Sequence, residues 1–304
     1  MDKTPPATPE WRQWEQVNRL LDLAIDEDVG TGDVTTQALF PGSGQSGGRF
    51  RARAPGIMAG GEVARRLFAR LGERYAGDAG AARIGILRQD GERFSPGDDL
   101  LEILGDTAII LMGERIALNL LQRLCAVASL TRRFVDLAAG TGAKIYDTRK
   151  TLPGHRALDK LAVRAGGGHN HRQGLYDMVL IKDNHLAAFG GPAKAVRAAR
   201  KKTPLPVMVE VDSLEQLAEA LTAEPDYVLL DNMMPGTLAE AVELTNRLCS
   251  GQGWRRPELE ASGGINLTTA AAVAGSGVER ISVGAITHGA GSIDIGLDFD
   301  PEAS

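Results

Sequence analysis

The stretch VMVEVDSLEQLAEALTAEPDYVLLDN, residues 207–232, governs how the rest of the chain is read. VMVEV (207–211) and YVLL (227–230) are short, nearly continuous apolar runs, and SLEQLAEALTA between them has helical periodicity. A strand without polar alternation is buried on both faces, the mark of a parallel sheet covered by helices. Each run also ends in acids: Glu210 and Asp212 in the first case, Asp231 in the second.

The same grammar extends outward. AKIY (143–146) and MVLI (178–181) precede this stretch, and LEAS (259–262) and RISVG (280–284) follow it. Helical patterns such as PAKAVRAARKK, GTLAEAVELTNRLC and NLTTAAAVAGSG separate most of them. Such strand–helix units close most naturally into an α/β barrel, with a doubly wound open sheet as the competing architecture. AKIY runs into Asp147-Thr148-Arg149-Lys150, MVLI into Lys182-Asp183-Asn184-His185, and YVLL into Asp231-Asn232. LEAS ends at Ser262 before Gly263-Gly264, and RISVG ends at Gly284. Barrels build active sites on that C-terminal rim. A turn or helix cap explains any one such residue, but caps do not require Arg, two Lys, Glu and Asp together.

Upstream the pattern differs. Trp11, Trp14, Val17, Leu21 and Ala24 recur at helical spacing, with Pro9 suited to a first turn and Gly30 and Gly32 ending the helix. The acidic patch there, DEDVGTGDVTT, reads as a solvated turn, and PGSGQSGG (41–48) as a flexible one. GRFRARAPGIMAG, ARIGILRQDGERF and DDLLEILGD alternate loosely between Gly and Pro breaks, as antiparallel strands do, and GGEVARRLFARLG interrupts them as a helix. The expectation is an α+β domain over residues 1–112 and a barrel over 113–289 that opens on a long helix at 113–139.

Bulk composition excludes some classes. The 304 residues are 43% hydrophobic and 24% charged, with net charge −5, so nothing global points to nucleic acid or an anionic membrane. Arg123, Arg132 and Arg133 interrupt the most hydrophobic helix, which makes it a poor bilayer span. The start, MDKTPPATPEWRQW, has no apolar signal region, and Cys125 and Cys249 lie in apolar helical stretches without metal spacing. A cytoplasmic chain with two buried thiols is expected.

Against this acidic background, one cluster is basic. From Arg149 to Arg172 stand six basic residues, Arg149, Lys150, Arg156, Lys160, Arg164 and Arg172, against the single acid Asp159. Arg156, Lys160 and Arg164 read as the solvated face of a helix. The others, with Lys182 and Arg115, suit a highly anionic small substrate. The SGGI and SVGA segments are glycine-bearing turns after late strands, where barrels often hold phosphate on backbone N–H groups. Glu210 and Asp231 beside them suit ribose hydroxyls or Mg²⁺. His169-x-His171 in AGGGHNHRQGL (165–175) has the look of a metal pair, but Glu210 and Asp231 on the later strands make a poor zinc set. A loop presenting His171 and Arg172 to an anion is the better reading.

Taken together, YDTRKTLPGHRALDKLAVRAGGGHNHRQGLYDMVLIKDNH, VEVDS, DYVLLDNM, LEASGGI and RISVGAITHGA resemble the quinolinate phosphoribosyltransferase family. The likeness extends to EDVGTGDVTT and ERIALNLLQRLCAVASLT, and covers about residues 20–300. It implies a pentosyltransferase that joins quinolinate to phosphoribosyl pyrophosphate, giving nicotinate mononucleotide, pyrophosphate and CO₂ for NAD synthesis. It also implies an N-terminal α/β sandwich domain, joined by the C-terminal segment 290–304, on an incomplete α/β barrel. A Mg²⁺ requirement follows, as does a homodimer with shared active sites and further assembly left open. By motif, quinolinate meets Arg115, Arg149, His171, Arg172 and Lys182, with Thr148 lining the pocket. Arg53 of the partner subunit completes that site, with Arg51 the alternative register. Phosphoribosyl pyrophosphate meets Lys150, Glu210, Asp231, Ser262, Gly263, Gly264, Gly284 and His288. The sequence departs from the family pattern at His169, where a small or apolar residue is expected, and at Gly289, where a serine is.

Two rivals remain beside the metal-hydrolase reading. A molybdate-operon paralogue of the same fold is disfavoured by the full dicarboxylate set. A non-catalytic sensor of a phosphorylated metabolite is disfavoured by Glu210 and Asp231 standing beside that set.

Overall fold

The computed structural model describes residues 10–40, 44–76 and 82–301, so Pro9 and the side chain of Trp11 lie outside the described residues. The chain forms two compact units. One holds residues 133–150 and 168–288, and the other residues 9–132, 151–167 and 289–304.

The first unit is built on six parallel strands: β6 (Lys144–Tyr146), β7 (Val179–Ile181), β8 (Val207–Val211), β9 (Tyr227–Asp231), β10 (Glu258–Ser262) and β11 (Arg280–Ser282). All six apolar runs are strands. Their order is β6-β11-β10-β9-β8-β7. From β7 to β11 each strand lies beside the next with no reversal of direction, which a doubly wound sheet would require. The first strand, β6, then lies beside the last, as in a barrel. Among the described residues no β6–β7 pairing closes the ring, so the barrel is incomplete. Helices α6 (Asp183–Phe189), α7 (Pro192–Arg200), α8 (Leu214–Leu221), α9 (Pro235–Gln252), α10 (Ala270–Ala274) and α11 (Ala285–His288) follow the strands in turn.

His169 extends the open edge. Its N–H donates to Ile145 O at 2.7 Å, its carbonyl accepts from Asp147 N at 3.0 Å, and its ring packs on Tyr146 with centroids 5.3 Å apart. Burial, with Lys144 and Arg280 nearby, lowers its pKa. The first histidine of H-x-H thus serves the sheet.

Strand alternation sorts the side chains. Val207, Val209 and Val211 of β8 turn one way, and Met208 and Glu210 the other. On that second face Met208, Tyr227 and Leu229 pack with Met178 and Leu180 as an apolar floor. Because the strands are parallel and in register, with Ser262 opposite Asp231 and Ser282 opposite Tyr146, their C-terminal ends form one rim.

The second unit is an antiparallel sheet with helices. Strands β12 (Ile295–Asp300), β1 (Gln45–Ala52), β5 (Asp99–Asp106) and β3 (Arg83–Ile86) pair in that order, and β2 (Gly56–Ile57) pairs with β4 (Arg93–Phe94). Helices α1 (Glu10–Asp28), α2 (Val34–Leu39), α3 (Gly61–Tyr75), α5 (Arg156–Ala165) and most of α4 (Thr107–Leu137) complete it. Phe50, Phe68, Leu67, Leu71, Leu101 and Ile103 are fully buried in its core.

Three readings need correction here. The flexible turn expected over 41–48 is strand β1 from Gln45 onward; 41–43 lie outside the described residues. Gly48 belongs in a strand because an added Cβ would meet Asp298 O at 2.9 Å, so the ladder leaves no room for a side chain. In the acidic patch, Asp33 caps α2, accepting N–H bonds from Thr35 and Thr36 at 3.0 Å. Lys160 is not on a solvated face: it and Asp159 are fully buried, while Arg156 is half-buried and Arg164 exposed. Helix α5 packs against α1, and Arg123 reaches Asp159 at 3.3 Å, so charges lie inside on a face that a one-sided amphipathic reading assigns to water.

Candidate active site

The rim of the first unit encloses a cavity of about 410 Å³. Thr148, Arg149, Lys150, His171, Arg172, Lys182, Glu210, Asp231, Ser262, Gly263 and Gly264 line it, over a floor of Leu180, Leu229, Glu260 and Ser282. Most of the expected site residues are therefore gathered in one place, although they come from five strand ends and a loop.

The basic wall is held by carboxylates beneath it. Buried Asp147 accepts the His171 N–H at 2.8 Å, and Asp177 accepts from Gln173 N at 2.6 Å and Gly174 N at 3.2 Å. These bonds lock the loop between α5 and β7, so its glycines need not cradle phosphate. Arg172 is buried, and its Nη1 donates to Met178 O at 3.3 Å. Burial, and then the neighbouring charge of Arg149, lowers the Arg172 pKa. Two neighbouring guanidinium groups, one buried and one half-buried, have the charge and donors that suit an anion.

Two acids stand on the same rim. Glu210 pairs with Lys182 at 3.2 Å, and Asp231 accepts from Asn232 Nδ2 at 2.7 Å. Gly263 lies at φ +91°, and an added Cβ there would fall 2.2 Å from Asn232 Oδ1. The turn therefore requires glycine, and Ser262-Gly263-Gly264 presents backbone to the cavity. Gly284 and His288 are not lining residues of this cavity, but a Cβ added at Gly284 would sit 3.0 Å from Lys150 Cδ and 3.3 Å from His288 Nε2. The absent side chain is what lets Lys150 and His288 approach.

Arg115 and Arg53 belong to the other unit and do not line this cavity. Both are exposed. Arg51 is committed to Asp99 at 2.7 Å and Asp298 at 2.8 Å, whereas among the described residues Arg53 pairs with Asp298.

Sequence reasoning missed one pair. Glu260 and Arg280 are directly opposite on β10 and β11, both buried, with Arg280 Nε donating to Glu260 Oε2 at 2.7 Å. The Arg280 guanidinium lies 3.7 Å from the Tyr146 ring centroid and 4.7 Å from that of Tyr227. The His171 N–H and the Arg280 guanidinium hold the Glu260 pKa down to about 2 despite complete burial. In the sequence, LEAS and RISVG look like plain apolar runs. Their signal was a Glu and an Arg at inward positions of neighbouring strands.

An incomplete α/β barrel whose rim gathers several cations, two carboxylates and a glycine turn is suited to a phosphorylated substrate. Family models narrow the class: the quinolinate phosphoribosyl transferase N-terminal domain matches residues 33–125 and the C-terminal domain residues 127–298. The chain belongs to the quinolinate phosphoribosyltransferase family. It is 45% identical to the nicotinate-nucleotide pyrophosphorylase [carboxylating] of Mycobacterium leprae, over 91% of this chain and 94% of that one. It is 40% identical to the probable enzyme of that name from Bacillus subtilis, over 93% of each. The structure of nicotinate-nucleotide pyrophosphorylase from Francisella tularensis superposes with TM-score 0.85 at 35% identity, covering 94% of this chain and 96% of that one.

Proposed function

We propose that this chain transfers the phosphoribosyl group of phosphoribosyl pyrophosphate to quinolinate, with loss of CO₂, yielding nicotinate mononucleotide and pyrophosphate. The observation that carries this reading is the cavity, whose lining brings Arg149, Arg172 and Lys182 together with Glu210, Asp231 and the Ser262–Gly264 turn. Arg149, Arg172 and Lys182 hold the two carboxylates, with His171 and Thr148 in the same wall. Lys150, the glycine turn, Gly284 and His288 take the phosphates. Lys182 is released from Glu210 when the substrates enter, and each partner then meets a charge on the ligand.

The pyridine nitrogen attacks C1 of the ribose as the bond from C1 to the pyrophosphate oxygen breaks. Positive charge that builds on the ribose is met by Glu210 and Asp231, and negative charge on the leaving group by Lys150. Holding both anions in line makes the attack effectively unimolecular. The ring nitrogen is now cationic, so the electron pair of the C2–carboxylate bond stays on C2, stabilised by the adjacent positive charge, as CO₂ departs, and a proton then takes up that pair. Glu210 and Asp231 are the oxygen donors suited to Mg²⁺. Among the described residues no group of three or more His, Cys, Asp or Glu forms a metal cage. That fits an ion held by one or two carboxylates plus substrate phosphates. Bound there, Mg²⁺ would neutralise pyrophosphate charge.

Arg53 and Arg115, exposed and in the other unit, are read as the parts of a site completed across a homodimer, with Arg53 entering the partner's pocket. A cytoplasmic location is supported by two free, buried cysteines and by the lack, among the described residues, of any helix long and apolar enough to cross a membrane. Purified protein given quinolinate, phosphoribosyl pyrophosphate and Mg²⁺ is expected to release CO₂ and form nicotinate mononucleotide, while nicotinic acid gives no product. Absence of product at high enzyme concentration refutes the reading.

A further inference from the structure

We propose that Glu260 is a positioning residue of the substrate pocket: it holds His171 as the Nε2–H tautomer, and through that ring sets the backbone that carries Arg172. The inference rests on the reading of the pocket as the quinolinate site.

The two ring nitrogens of His171 have different partners. The Arg172 backbone N–H donates to Nδ1 at 2.7 Å. A nitrogen that accepts an N–H bond carries no proton, so the ring proton of the neutral form is on Nε2. Nε2 stands 3.3 Å from Glu260 Oε1. That oxygen is fully buried and no other donor among the described residues reaches it, so the His171 N–H is the partner within its reach. The imidazole is thus a strut: one end against a buried carboxylate of β10, the other against the peptide that leads into Arg172. Both nitrogens are engaged inside the protein, and the ring works on the substrate chiefly through Arg172.

The carboxylate is itself fixed. Oε2 accepts from Arg280 Nε at 2.7 Å, and the Arg280 guanidinium is stacked between Tyr146 and Tyr227. A buried carboxylate with this partner keeps its charge and place, and can orient a histidine much as outer carboxylates orient metal-binding imidazoles. Glu260, Arg280 and the two tyrosines all lie on β6, β9, β10 and β11. The strut therefore stands on the rigid sheet, and the loop it supports bears the arginine.

Two measurements test this. In protein labelled with ¹⁵N-histidine, with the His171 signals assigned by their loss in His171→Gln, Nδ1 is expected to be pyridine-like and Nε2 pyrrole-like. A doubly protonated ring or an Nδ1–H tautomer in the unaltered protein overturns the proposal. The second is Glu260→Asp, which keeps a counter-charge for Arg280 but withdraws the carboxylate from His171 by one methylene. It is expected to raise the KM for quinolinate about tenfold, the loss of one charge-assisted hydrogen bond. The KM for phosphoribosyl pyrophosphate should change less than about threefold, and the His171 spectrum should become a mixture of tautomers. An equal rise in both KM values, or an unchanged spectrum in the folded variant, defeats it. Should Glu260→Asp fail to fold, Arg280→Lys, which keeps the cation, supplies the same KM comparison. If the unaltered protein forms no product from quinolinate, the functional reading fails, while the spectrum still decides whether the strut exists.

Discussion

Arg172 is the side chain on which the division of the pocket turns. It is buried beside Arg149, with its Nη1 donating to Met178 O and Asp177 nearby, and the proposed reading adds a ligand carboxylate as its partner. Arg172→Ala is expected to cost about 1.5–3 kcal/mol of quinolinate binding, the loss of one charged hydrogen-bond partner, while phosphoribosyl pyrophosphate binding changes far less. Calorimetry with each ligand checks this, and equal losses would mean that the two ligands do not divide the pocket as described. Arg172 was legible in the sequence because a run of cations on an acidic chain is conspicuous at any position. Glu260 was not. One charge inside an apolar run does not alter the run's polarity, and its partner Arg280 lies 20 residues on, visible only once the strands pair. Lys160 misled for the same reason in reverse, since its helix is buried on a side that the pattern marks as polar.

At the scale of elements, the strand ends do the positioning, and the turns between strand and helix must leave room for ligand. Gly263 shows the constraint most sharply, with φ +91° and Asn232 at 2.2 Å from an added Cβ. Gly263→Ala is expected to destabilise the fold by about 1–3 kcal/mol, through backbone strain together with displacement of Asn232. Because Asn232 donates to Asp231, the displacement reaches a proposed ribose contact. The expected result is a melting temperature lowered by a few degrees and a raised KM for phosphoribosyl pyrophosphate, with the KM for quinolinate nearly unchanged. A variant with the native melting temperature and both KM values intact would show that the turn tolerates a side chain. All six barrel strands could be read from continuous apolar runs, because burial on both faces erases the alternation that blurs other strands. Gln45–Gly48 was read as a turn because glycine and serine signal turns locally. Pairing with β5, and from Gly47 with β12 as well, overrides that signal, and β12 comes from the far end of the chain.

At the scale of the whole molecule, the pocket of the first unit already holds both an anion wall and a carboxylate pair, yet two arginines expected at the same site, Arg53 and Arg115, belong to the other unit. If each site is shared across a homodimer, with Arg53 entering the partner's pocket, a barrel defect and an Arg53 defect lie in different halves of any one site. Arg53→Ala and Lys150→Ala subunits are each expected to be nearly inactive alone. Mixed and allowed to exchange, equal amounts form about half mixed dimers. In a mixed dimer one site carries both defects and the other carries neither, so about a quarter of the unaltered activity should return. The dependence on mixing ratio sharpens the test, since recovery should peak at equal proportions and fall on both sides. Recovery that is absent while the subunits demonstrably exchange would place Arg53 within its own subunit's site or outside the site altogether. The same mixture made with Arg51→Ala in place of Arg53→Ala separates the two registers. Arg51 is held by two carboxylates in its own sheet, so its loss should lower stability without being complemented.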